Sequence, residues 1–236
     1  MADCKPVGTP ILPGSKLSKS QSPITIEEKA DMDRIPYINA IGSLLYLATI
    51  SHPDIAYIAG VLARFNTNPG KIHWKAVKHV FRYLKGTVDL KLQYGPNVKQ
   101  NGLFEAYTDA DLGGNIDNGK STSGYLIQMG LGVVCWSSKL QPAVALSTTE
   151  AELMAGVAGG KEVNWLQNLL VEIGYKAPIP AILYTDNKSA IQVSKNPEHH
   201  GRMKHLNLHF SWLRDQVQKE RILLVYTETT EMPETY

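Results

Sequence analysis

The stretch Glu105–Gly114, EAYTDADLGG, sets two carboxylates at the end of an apolar run, and it constrains the chain more than any other feature. Leu103, Phe104, Ala106 and Tyr107 form a strand-like approach, and Gly113, Gly114 and Asn115 supply turn chemistry. A carboxylate at the end of a buried strand needs hydrogen bonds, a basic partner, or a divalent cation shared with other carboxylates. A turn-forming aspartate is the plain alternative for Asp109, and the stretch alone does not choose.

The elements that follow set the fold class. LFEAYTD, the polar turn region GGNIDNGKSTS, then GYLIQM and VVCWSS around Gly130 to Gly132 predict a three-stranded antiparallel meander. The period then changes. Ser147 with Glu150 three positions later has capping-box spacing, and apolar residues at 153, 154, 157, 165, 166, 169, 170 and 173 suit a long helix. Gly159 and Gly160 in its middle imply a neighbour that approaches closely. Next come the short strand AILYTD, a helix from about Asn187 to Lys195, the polar segment NPEHHGR, a helix over roughly residues 203 to 219, and the strand ILLVY. The order βββαβα, then helix and strand, specifies an α/β sandwich with a mixed sheet.

The first part of the chain has another character. Residues 1 to 35 are rich in Pro, Ser, Thr and Lys without apolar periodicity and read as an extended or poorly ordered lead-in. YINAIGSLLYLAT suits a mostly buried helix. A second helix is expected from Ser51, with Ser51 as cap, Pro53 where a missing N–H is harmless and Asp54 at the positive end. Lys71 to Lys85 predicts a third, with Val77, Val80, Phe81 and Leu84 on its buried face and Lys71, Lys75, Lys78, Arg82 and Lys85 as five positive charges without an acid. That basic face is either simply solvated or a contact for a phosphate backbone. GPNVKQNG reads as a linker, which places a domain boundary near residue 97.

Composition excludes several classes. With 236 residues and 43% hydrophobic content the chain suits one or two globular units. Its net charge of +2 does not by itself announce nucleic-acid binding. Cys4 and Cys135 are the only cysteines, so there is no disulfide framework, and the reading favours an intracellular setting. No apolar run reaches the roughly eighteen residues of a membrane span.

Three acids stand out. Asp109 ends the first strand, Asp186 ends the fourth, and Glu152 lies early in the long helix. If the first and fourth strands are parallel neighbours, both aspartates emerge at one end of the sheet, where a crossing helix can add Glu152. Three converging carboxylates repel unless cations neutralise them, and all-oxygen ligation suits Mg²⁺ or Mn²⁺. Two such ions can activate a water and stabilise the leaving oxygen of a phosphodiester.

YTDADLGG, STSGY, WSSKLQPAVALSTTEAELMA, LYTDNKSAI and the HHGRMKHL region together resemble the ribonuclease H domain of Copia-type retrotransposon Pol polyproteins. Upstream, CKPVGTPILPG, IGSLLYLATISHPDIAY and HWKAVKHVFRYLKGT resemble the end of the reverse transcriptase of the same polyproteins. The resemblance covers nearly the whole chain. It implies a C-terminal reverse transcriptase portion over 1–97, thumb- or connection-like and helical, and a ribonuclease H domain over 98–236 with a five-stranded mixed sheet. The polymerase palm would precede residue 1, so polymerase activity is not expected.

The resemblance implies an endonuclease that cuts the RNA strand of RNA/DNA hybrids with two Mg²⁺ or Mn²⁺ ions, leaving a 3′-hydroxyl and a 5′-phosphate. Asp109, Glu152 and Asp186 would be the metal ligands, with Glu152 chosen over Glu150 because an apolar residue follows it. Glu150 is left as the capping residue, and Asp111 lies already in the turn. A fourth acid normally follows the last strand in a pattern like T-x-x-x-x-A-D. Here the chain reads TTEMPETY: either Glu234 substitutes through a small shift or the fourth ligand is missing. That departure keeps open a catalytically inactive nucleic-acid-binding remnant, a fragment or decayed copy of a transposable element.

The resemblance also implies an RNA/DNA hybrid and the upstream reverse transcriptase domain as partners, no membrane, and a place in cytoplasmic virus-like particles or the nucleus. Lys75, Lys78, Arg82, Asn187, Arg202, Lys204 and His205 are the expected nucleic-acid contacts, with helix capping as the other reading for Asn187. His205 and His209 have helical i, i+4 spacing, but no cysteine pair lies near to complete a zinc site. Trp136, Trp165 and Trp212 read as core.

Overall fold

The computed structural model describes residues 1, 3–96, 104–175, 179–195 and 207–232, with the side chains of 207–209 outside the description. Among these residues the chain divides into two compact units: Met1–Lys91 together with Asn115–Gly119, and the remainder from Leu92 onward.

The first unit is helical: α1 (Ile26–Asp33), α2 (Tyr37–Ile50), α3 (Ala56–Ala63) and α4 (Lys71–Gly86). Tyr37, Ile41 and Leu44 of α2 meet Ile58 and Leu62 of α3 and Val77 and Val80 of α4 in one core. The basic helix is α4, as its pattern predicts.

Two expectations need correction here. The lead-in is not structureless: Thr25 and Glu28 close a reciprocal capping box that starts α1, a T-x-x-E signal present in the sequence. The segment before it packs on α4, where His79 Nε2 bonds Thr9 O (2.9 Å), Arg82 Nε donates to Lys5 O (2.7 Å) and Lys85 Nζ donates to Cys4 O (2.9 Å). Ser51 does not cap the next helix. It ends α2, its hydroxyl pairs with His52 Nδ1, and Pro53–Ile55 forms a 3₁₀ turn before α3. Asp54 accepts from the Tyr83 hydroxyl (2.7 Å) of α4.

The second unit carries β1 (Phe104–Asp111), β2 (Thr122–Met129), β3 (Gly132–Leu140), α5 (Thr148–Glu172), β4 (Ala181–Thr185), α6 (Lys188–Lys195), α7 (Asn207–Gln218) and β5 (Ile222–Tyr226). The sheet order is β3-β2-β1-β4-β5. β1, β2 and β3 pair antiparallel as the meander, and β4 lies parallel to both β1 and β5. This five-stranded mixed sheet with flanking helices is the architecture that the sequence leads one to expect. Ala106, Ile127, Leu153, Val157, Leu183, Leu213 and Ile222 form the centre of its core.

Side chains alternate along β1, so Phe104, Ala106 and Thr108 are buried while Glu105, Tyr107 and Asp109 are half-buried. The helix α5 runs unbroken through Gly159 and Gly160. A Cβ on Gly159 would lie 2.5 Å from Thr108 Cγ2, and one on Gly160 would lie 3.2 Å from Ile222 Cδ1. Small residues therefore let the helix sit close to β1 just before Asp109. Trp212 packs on the core. Trp165 is 53% exposed and does not. The helical spacing that includes it with Leu166 and Leu170 does not tell the buried flank from the outer one.

Candidate metal centre

Two strand ends and one helix turn build the candidate site. The parallel register pairs Tyr107 with Tyr184, so two residues further along both strands Asp109 and Asp186 stand level. Glu152 comes from the second turn of α5, whose start is fixed by Ser147: its hydroxyl accepts from Glu150 N (3.2 Å). Glu150 turns back to accept from Leu146 N (2.8 Å) and serves the helix entrance. One ligand atom each from Asp109, Glu152 and Asp186 falls within 4.8 Å of the others.

The Ala110 amide is shared, donating to Asp109 Oδ1 (2.8 Å) and Glu152 Oε1 (3.2 Å). It is the one influence lowering the Glu152 pKa. Burial first, then the charges of Asp109 and Asp186 and a hydrogen bond with Asp109, push it up to about 9. At neutral pH and without a cation, Glu152 therefore carries a proton. Its Oε2 is buried and meets no hydrogen-bond donor among the described residues.

These features fit a divalent cation. The donor set is all carboxylate, one oxygen is held out of water without a donor among the described residues, and the burial and mutual repulsion that protonate Glu152 are what a positive ion would offset. Asp111, by contrast, serves the turn: its Oδ1 accepts from Thr122 N, and a Cβ on Gly114 would clash with its carboxylate. Thr229 was not singled out by sequence reasoning. Its hydroxyl donates to Asp186 Oδ2 (2.7 Å), and only the polar character of the segment after β5 hinted at such a role.

Of the expected nucleic-acid residues, Lys75, Lys78, Arg82 and Asn187 are among the described residues. Asn187 Oδ1 accepts from Ala190 N (2.9 Å) and caps α6. Lys75 and Lys78 are exposed on α4 and, with Arg82, line a cavity of about 550 Å³. Two other basic residues of α4 are occupied within the first unit, Lys71 by Asp31 (2.7 Å) and Lys85 by Cys4 O. Arg202, Lys204, His205 and Glu234 lie outside the described residues, as do His199, His200 and the His209 side chain.

No protein-family model matches the chain. The Pol polyprotein of transposon TNT 1-94 from Nicotiana tabacum is 45% identical over 233 residues, 99% of this chain and 17% of that protein. The chain is a homologue of retrotransposon Pol polyproteins. The Pol polyprotein of transposon RE2 from Arabidopsis thaliana is 36% identical over 232 residues, 97% of this chain and 15% of that protein. This Pol homologue thus spans about one sixth of the length of the relatives it matches. Among solved structures, LC11-RNase H1 isolated from compost is 15% identical with a TM-score of 0.42, over 55% of this chain and 87% of that one. Among the described residues of the Pol homologue, no helix is long and apolar enough to cross a membrane.

Proposed function

We propose that this chain is a ribonuclease H-type endonuclease, a hydrolase that cuts the RNA strand of RNA/DNA hybrids, from a Copia-type Pol polyprotein. Residues 98–236 are its ribonuclease H domain, and residues 1–97 are the end of the reverse transcriptase that precedes it in the parent polyprotein. The observation that carries the reading is the convergence of Asp109, Glu152 and Asp186 within 4.8 Å, with Glu152 Oε2 buried and lacking a donor among the described residues.

Asp109, Glu152 and Asp186 would hold two Mg²⁺ or Mn²⁺ ions. Such ions supply a water of lowered pKa and neutralise charge on the leaving oxygen of a phosphodiester. The protein supplies position. The Ala110 amide fixes one oxygen each of Asp109 and Glu152, which leaves their second oxygens available to ligate. Glu152 gives up its proton when it ligates, so binding strengthens as pH rises. Lys75, Lys78 and Arg82 would meet the phosphate backbone. Asn187, Arg202, Lys204 and His205 would contact the hybrid near the site. Selectivity for RNA would come from 2′-hydroxyls in a wide, shallow minor groove.

The test is cleavage of a labelled RNA/DNA hybrid in Mg²⁺ or Mn²⁺, with Asp109→Asn alongside. Cleavage by the native chain that EDTA abolishes and D109N lowers by at least about a hundredfold is expected. Equal products from the two proteins would sink the enzymatic reading.

A further inference from the structure

We infer that Thr229 is a positioning residue for the carboxylate cluster, selecting which oxygen of Asp186 faces Asp109 and Glu152 and thereby setting the affinity for a divalent cation. The inference rests on the reading that these three carboxylates bind such an ion, and it concerns a residue outside that set.

The three carboxylates are not held alike. Asp109 and Glu152 each lean on the Ala110 amide, a backbone donor that no side-chain replacement removes. The described donor to Asp186 is instead the Thr229 hydroxyl, at 2.7 Å on Oδ2. The residues flanking Asp186 are committed elsewhere. Thr185 sits in the β4–β5 ladder, its hydroxyl accepting from Asn187 N (3.3 Å), and Asn187 caps α6. Among the described residues, the orientation of the Asp186 carboxylate about its own side-chain bonds is therefore left to Thr229.

Thr229 is in turn well anchored. Thr227 N donates to Thr185 O (3.1 Å), which carries the β4–β5 pairing one step past Thr185 and Tyr226 and brings the following chain beside Asp186. Thr229–Glu231 then forms a 3₁₀ turn, closed by Glu231 N to Glu228 O (2.8 Å) and Met232 N to Thr229 O (3.3 Å). The Thr227 hydroxyl donates to Glu231 Oε2 (3.2 Å) across the same turn. Threonine is β-branched and stiff about its first side-chain bond, so an anchored backbone holds the hydroxyl in place. With Oδ2 tied to it, Oδ1 is the oxygen left for the cluster. A carboxylate oriented beforehand loses less rotational freedom on ligating an ion, which appears as affinity.

The experiment is a Mn²⁺ titration of the full chain, followed by electron paramagnetic resonance of the free ion, for native protein, Thr229→Val, Thr229→Ser and Asp186→Asn. Valine keeps the shape and removes the donor, while serine keeps the donor. T229V is expected to weaken Mn²⁺ binding about tenfold, within the range seen when partners of metal ligands are removed. T229S is expected to recover most of that loss, and D186N to bind more weakly than either. The melting temperatures of the two Thr229 variants should stay close to native, since the site is exposed. Native-like Mn²⁺ affinity in T229V, or equal losses in T229V and T229S, overturns the inference and leaves the metal-site reading standing. Native protein that takes up no Mn²⁺ overturns both.

Discussion

Glu152 is the most deeply buried carboxylate of the Asp109–Glu152–Asp186 cluster. It is 7% exposed, and its pKa is pushed up to about 9, so the folded, cation-free protein keeps a proton that the unfolded chain releases near pH 4.5. Between those two values the folded state binds more protons than the unfolded one, and stability falls as pH rises, by at most about 1.4 kcal/mol per pH unit for one proton. In EDTA the native protein should lose melting temperature steadily from pH 5.5 to 8.5. Glu152→Gln, which carries no ionisable group there, should flatten that slope and melt higher than native protein at pH 8.5. Added Mg²⁺ should reverse the ranking, because only the native side chain gains from the ion. A slope unchanged by E152Q in thermal melts would show that the burden lies on another group. The sequence pointed to this residue through its place early in the long helix and, over Glu150, through the apolar residue that follows it, as the family resemblance implies. What the sequence could not give is the Ala110 amide that both carboxylates share, since a backbone donor leaves no mark in residue identity.

At the scale of elements, the approach of α5 to the sheet decides where Glu152 ends up. Gly159 lies seven residues beyond Glu152 on α5 and abuts Thr108, the residue before Asp109. Gly159→Ala has two opposed effects. Alanine favours the helix by about 1 kcal/mol over glycine. Its Cβ, 2.5 Å from Thr108 Cγ2, forces helix or strand to move, at a cost of about 1–3 kcal/mol. Because Thr108 is 1% exposed and its hydroxyl donates to Tyr184 O (3.3 Å), it has little room to yield, so the clash should win. G159A should lower the denaturation midpoint, and a midpoint equal to native or higher would refute the close-packing account. This close approach was readable as a Gly-Gly interruption in an otherwise apolar helix, and the order of elements as a change of period after residue 140, whereas the β3-β2-β1-β4-β5 strand order was not. Elements whose form depends on remote partners were not readable. Residues 1–35 lack apolar periodicity, yet the Cys4, Lys5 and Thr9 carbonyls accept from Lys85, Arg82 and the His79 ring, and Thr25 and Glu28 cap α1. Trp165 matches the apolar spacing of α5 and still faces outward.

Each of the two units has its own core among the described residues, and one ionisable group in each, His73 and Glu152, responds to pH in the opposite sense to the other. In the first unit His73 is buried and stacked on Phe65 with ring centroids 3.9 Å apart. Its Nδ1 accepts from Gly70 N (2.8 Å), and its Nε2 faces Ser18 O (3.1 Å) as donor. That pairing uses a neutral ring with its hydrogen on Nε2, since a second proton on Nδ1 would meet the Gly70 donor. Burial is the main cause that lowers its pKa from 6.5. A depressed folded-state value means the unfolded chain binds more protons, so this contribution is full above pH 6.5 and is lost as pH falls through the folded value. Glu152 does the reverse in the second unit, which gains stability in EDTA as pH falls from 8.5 toward 5.5. Hydrogen exchange of core amides resolves the two. On moving from pH 7.5 to 5.5 without divalent cations, and after correction for intrinsic exchange rates, protection of α2 and α4 should decline while that of β1 and β4 rises. Saturating Mg²⁺ should remove the change in the second unit and leave the first unit's response intact. If both units moved in the same direction, one of the two accounts would fall: burial of His73 if both gained protection, burial of Glu152 among carboxylates if both lost it.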